Sequence, residues 1–136
     1  MKLPSEVSIR EHSVFLEKFE DGSVYYAAKT QWPENAKKSL AWAKAQKRQR
    51  PLVEKYLKFN GHATRQIVAS NLSQQEAELI KSNLIRRSVQ SGEDNLNILK
   101  ETNIVLSVES SFEIQNYCHC GQDRADTLVS IFKSIK

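Results

Sequence analysis

One run of side chains in this 136-residue chain has the types and spacing that contact with phosphates would need, and a second set is of reactive type. The first is cationic. Lys37, Lys38, Lys44, Lys47, Arg48 and Arg50 follow one another between Asn35 and Arg50 with no acid among them, and Lys29 stands shortly before. A positive surface this concentrated can displace counterions from phosphates, and its plain alternative is a solvated lysine-rich helix face. The second comprises Tyr25 and Tyr26 on one segment and Glu76, Glu78 and Lys81 on another. Adjacent tyrosines on a strand point to opposite faces, so one packs in the core and only the other can line a cleft. Glu78 lies three residues before Lys81 and reads either as a ligand or as the solvent-side partner of that lysine.

Other reactive types are isolated. Cys118-His119-Cys120 holds good zinc ligands, but three such close neighbours cannot converge on one ion in strand geometry, and no fourth ligand cluster accompanies them. A disulfide between cysteines one residue apart would close no useful loop. His12 and His62 each precede an expected strand. Trp32 and Trp42 can stack on exposed bases or pack inward; Trp42 reads as core and Trp32 reads equally either way.

These residues need elements to hold them. Ser13 to Phe19 and Ser23 to Ala28 are aromatic and β-branched runs around Asp21-Gly22, which predicts an antiparallel hairpin. Asn35 to Gln49 is free of Pro and Gly with Ala36, Leu40 and Ala43 at helical spacing, so a basic helix follows. Pro51 opens a short second helix that Asn60-Gly61 stops. Arg65 to Ser70 predicts a third strand, after which Ser73 and Glu76 form a capping box for a third helix with Ala77, Ile80 and Leu84 inward. Ile104 to Val108 and Phe112 to Tyr117 read as a second hairpin, and Asp123 starts a last helix bearing Leu128, Ile131, Phe132 and Ile135. The expected fold is a mixed α/β (α+β) domain, a small mixed or antiparallel sheet flanked by helices, over residues 1–100, with residues 101–136 as an extension packed on it.

Composition sets the outer limits. An apolar content of 40% suffices for one core. Twenty basic and 16 acidic residues leave a net charge of only +4, so distribution matters more than the sum. Nowhere do 18 apolar residues run together, and a lysine and a proline near Met1 interrupt any signal sequence, so the expectation is a soluble cytoplasmic protein with no membrane partner.

The order of elements and several residues resemble the GIY-YIG nuclease superfamily over His12 to Ile98. Ser13-Val14-Phe15 stands at the first motif and Tyr26-Ala27-Ala28-Lys29-Thr30 at the second; Glu76-Ala77, Asn83-Leu84-Ile85 and Leu96-Asn97-Ile98 resemble the helix and strand that close such domains. That family implies hydrolysis of a DNA phosphodiester, with a tyrosine near the attacking water, an arginine on the phosphate and a helix glutamate holding Mg2+ or Mn2+. In this matching Phe15 lacks the first tyrosine's hydroxyl, Ala28 replaces a glycine, and Lys38 takes the arginine position without its bidentate fork. Lys81 takes the metal-ligand position, where an ammonium repels a cation. Tyr26 survives.

The leading expectation is therefore a DNA-binding protein on a nuclease-like scaffold with a degraded catalytic site, using Lys29, Lys37, Lys38, Lys44, Lys47, Arg48 and Arg50 on phosphates and no metal. One alternative is a divalent-metal endonuclease with its ligand moved to Glu78, Tyr26 positioning water and Lys38 on the phosphate. Another is a protein-interaction module or inhibitor of phage or mobile-element origin, its partner held by the C-terminal extension.

Overall fold

The computed structural model describes residues 10–32, 35–48, 50–97 and 111–135. Their centre is a three-stranded antiparallel sheet of order β2-β1-β3, formed by β1 (His12–Lys18), β2 (Val24–Lys29) and β3 (Thr64–Leu72). Asp21 shapes the turn between the first two strands by accepting from the Ser23 amide at 3.0 Å and the Ser23 hydroxyl at 2.6 Å. Gly22 supplies the φ of +88° that the turn requires.

Helices cover both faces, and the strand register decides which side chains meet them. Phe15 pairs with Ala27 and Glu17 with Tyr25, so these four share one face; Leu16 pairs with Tyr26 on the other. Against the first face lie α1 (Ala36–Ala45) and α2 (Pro51–Lys58), burying Phe19, Tyr25, Ala27, Ala43, Val53 and Tyr56 together. Against the second lies α3 (Gln74–Gln90), itself covered by α4 (Ser111–Cys118) and α5 (Gln122–Ser134). Leu79, Ile80 and Leu84 of α3 and Ile114 and Leu128 of the last two helices are fully buried there. Each such side chain contributes about 1.5–3 kcal/mol by leaving water.

The capping box at α3 forms as its sequence requires: the Glu76 amide donates to Ser73 Oγ at 3.1 Å and the Ser73 amide to Glu76 Oε1 at 2.8 Å. The α2 stop is also local. Asn60 and Gly61 both adopt left-handed φ, of 54° and 77°, and a Cβ on Gly61 would lie 2.2 Å from the Ala36 carbonyl oxygen. Only glycine lets the turn press on the start of α1.

Three expectations change. α1 ends at Ala45, earlier than Gln49, because Gln46 already turns extended at φ −74°, ψ 133°; Arg50, before the proline, is likewise held extended at φ −133°, ψ 152°. Phe112 to Tyr117 is helix rather than strand: Ile114 and Cys118, one turn apart, are both buried, while Phe112 is exposed. Residues Ile104 to Val108, expected as that strand's partner, lie outside the described residues, as does Ile98. Within the described part of the expected closing segment, Asn95 makes an isolated parallel bridge to Val24. Asn97 then clasps the Tyr26 backbone, accepting from its amide at 3.1 Å and donating to its carbonyl at 2.9 Å. Among the described residues no helix is long and apolar enough to cross a membrane.

Candidate nucleic-acid interface

Glu17 organises the α1–α2 side of the sheet. Its carboxylate is fully buried and accepts from the indole of Trp32, the hydroxyl of Tyr56 and Nε of Arg65, the last at 2.8 Å. Arg65 also donates to Ser39 Oγ and, at 3.1 Å, to the Gly61 carbonyl. A carboxylate taken out of water is tolerable only when paired and hydrogen-bonded in this way. The bonds cross-link β1, the end of β2, α1, α2 and β3, which fixes the rings: Trp32 stacks on Phe15 at 6.0 Å and lies 6.1 Å from Tyr25, and Trp42 meets Tyr56 edge-on at 5.8 Å. Burial, followed by the charge of Glu17, raises the Tyr56 hydroxyl far above the usual tyrosine value, so it remains a proton donor.

Between these rings opens a cavity of about 100 Å³ lined by Tyr25, Trp32, Trp42, Tyr56, Lys29 and Arg50, with Ser39 and Leu52 at its sides. Lys29 Nζ lies 4.4 Å from the centre of the Trp32 ring, a cation–π contact.

α1, which lines the cavity with Ser39 and Trp42, carries a basic face on its outer side. Lys37, Lys38 and Lys44 point outward from α1, and Lys47 and Arg48 are exposed in the connection to α2. None of these five forms an ion pair among the described residues. Lys37 and Lys38 occupy the first turn, which contains no acid, although a helix N-terminus disfavours cations. Asn35 offsets part of that cost by accepting from the Lys38 amide at 3.0 Å. Arg50 stands at the N-cap position of α2, its side chain making no cap hydrogen bond, and lines the cavity.

The three candidate catalytic residues do not converge. Tyr26 belongs to the core on the α3 face, whereas Lys38 stands on α1 across the sheet. Tyr26 also lines a groove with Arg87, Ser88 and Glu93 at the C-terminal end of α3. Glu78 lies nine residues earlier, or about 13 Å along the helix axis. Burial, and then the Glu93 charge, raise the Tyr26 hydroxyl above its ordinary value, away from a role as base at neutral pH. Of the two adjacent tyrosines, Tyr25 faces the cavity. Phe15 shares its face, so the positions matched to the two motif tyrosines point to opposite sides of the sheet.

A divalent ion does not fit the residues matched to its site. Lys81 is almost wholly buried and pairs with Glu78, Nζ to Oε2 at 2.8 Å, so the carboxylate offered as a relocated ligand is already neutralised. Among the described residues no three His, Cys, Asp or Glu side chains come together as a metal site. Cys118 is buried at the end of α4, and burial pushes its thiol up to about 12; His119 takes a left-handed φ of 52°. Trp42 is 36% exposed rather than core. His62 sits beyond α2 beside Lys18 and Lys58 in an open groove, and His12 is the first residue of β1.

Glu17, Arg65 and Tyr56 were not singled out by the sequence. The one signal was phase: Glu17 stands between Phe15 and Phe19 on the inward stripe of β1, where a carboxylate demands buried partners. Fold and site together define a mixed α+β domain in which a basic helix, its outer lysines without ion pairs among the described residues, borders an aromatic cavity. Comparison with family models, curated proteins and solved structures finds no match to the chain.

Proposed function

We propose that the protein binds DNA through its phosphates, on the outer face of α1 and the connection to α2, on a nuclease-like scaffold whose catalytic site is degraded. The observation that carries this reading is the set of five cations, Lys37, Lys38, Lys44, Lys47 and Arg48, exposed together with no ion-pair partner among the described residues. A merely solvated helix face gains from interspersed acids and from an acidic first turn; α1 has neither, and carries lysines where its own dipole opposes them. Phosphates arriving at that face would relieve the mutual repulsion and release counterions. The order of hairpin, paired helices, third strand and capped α3 supports the nuclease-like scaffold. The Glu78–Lys81 pair and the sheet lying between Tyr26 and Lys38 support a site that does not cut.

Salt dependence tests the binding. Five phosphate contacts predict a slope of about −4.5 for the logarithm of duplex affinity against that of salt concentration, and Lys37→Ala with Lys44→Ala should reduce its steepness by about two. An affinity indifferent to salt would overturn the reading. Supercoiled plasmid with magnesium or manganese should remain intact; nicking lost in Tyr26→Phe and Glu78→Ala would restore the endonuclease.

A further inference from the structure

We infer that the cavity between β2, α1 and α2 receives one unpaired base of a single-stranded nucleic acid, a deepening that rests on the phosphate reading above. Size is the first observation. At about 100 Å³ the cavity is somewhat smaller than the roughly 150 Å³ that encloses a benzene ring. One planar ring can enter part-way and a stacked pair cannot. Its walls suit a base: Tyr25, Trp32, Trp42 and Tyr56 offer π surface, to which any base can stack whatever its sequence.

Polarity and charge narrow the occupant further. Ser39 Oγ accepts from Arg65 and keeps a proton to give to a base carbonyl or ring nitrogen. Lys29 is exposed and Arg50 half-buried, and both line the same space, so an inserted base has cations at hand for its own phosphates. An uncharged apolar ligand would use the rings alone, whereas a nucleotide would also meet the cationic rim. A duplex would use the cations and leave the rings empty, because its bases are covered above and below.

The rings need no rearrangement to bind. Trp32 and Tyr56 are both tied to the buried carboxylate of Glu17, so the aromatic walls are held open before a ligand arrives.

The experiment compares four probes of equal length by fluorescence anisotropy: oligodeoxythymidylate, oligouridylate, a DNA duplex, and a fully abasic deoxyribose-phosphate strand with the charge of the first. The base-bearing strands should bind between about five-fold and about a hundred-fold tighter than the abasic one. Trp42→Ala should remove most of that advantage and leave the salt slope unchanged; Trp42 is 36% exposed, so its truncation opens no core cavity. If the deoxy and ribo strands bind alike, the pocket reads the base alone; if one is preferred, the sugar is read as well, and base insertion stands in both cases. Equal affinity for base-bearing and abasic strands overturns base insertion while phosphate binding stands. Failure of all four probes to bind overturns the phosphate reading itself.

Discussion

Among the described residues two glutamates are buried, and they are satisfied in opposite ways. Glu76, on the α3 side, accepts from the Ser73 amide at 2.8 Å, from Arg124 Nε and Nη2 at 2.8 and 2.9 Å, and from Arg10 at 3.3 Å. Its donors tie a helix start to α5, whose Arg124 also reaches the Asn71 carbonyl at 3.0 Å. That is a clamp, with apolar core beneath it. Glu17, on the other side, accepts from Arg65, an indole and a phenol, and two of those three donors line an open cavity next to a cationic helix. The same chemistry that closes one side of the sheet holds rings apart on the other. A buried charge is therefore not by itself a mark of function; what its donors border decides.

Removing Arg65 tests the contrast most severely. Arg65→Leu leaves Glu17 with two neutral donors and no counter-charge, and should lower unfolding free energy by about 3–5 kcal/mol in urea. A loss below about 1 kcal/mol would mean that Glu17 is not held as a charge. Arg124→Leu should cost less, about 2 kcal/mol, because Glu76 keeps Arg10 and the Ser73 amide. This second loss should also depend on pH. Burial alone would raise the Glu76 carboxyl, but Arg124, the Ser73 amide and Arg10 outweigh it and hold the group below its ordinary 4.5. A folded value below the unfolded one means the stabilisation is present above about pH 4.5 and is lost as pH falls through the folded value. The gap between wild type and Arg124→Leu should accordingly narrow in acid, and a gap that widened there would contradict the clamp.

The two sides also differ in how far the sequence discloses them. Ser73 and Glu76 are three residues apart and announce their cap, and the Asp21-Gly22 turn announces the hairpin, because each is settled by neighbours along the chain. Glu17 draws its donors from 15, 39 and 48 residues away, so only its place on an inward stripe hinted at them. The basic run is legible as charge and reads as a phosphate-contacting surface, whereas the cavity is not legible, since it is assembled from β2, α1 and α2. α4 was misread because Phe112 and Ile114 alternate with polar residues like a strand. Burial at Ile114 and Cys118 against α5 and α3 decided for helix over that local alternation.

Tyr26 offers the finest probe of where a ligand sits. Its ring is core, but its hydroxyl belongs to the groove with Arg87 and Glu93 on the α3 side, away from Lys38 and the cavity. Tyr26→Phe keeps the ring and removes only that hydroxyl, so stability should change by less than about 0.5 kcal/mol and DNA affinity by less than about two-fold. The matching change at Tyr25, Tyr25→Leu, removes a ring from the cavity wall and should weaken single-strand binding while duplex binding holds. If instead Tyr26→Phe lowered affinity ten-fold, the nucleic acid would lie across α3, on the face that the Glu76 clamp closes. The division of labour between the two buried glutamates would then be reversed, with Glu17 the structural one.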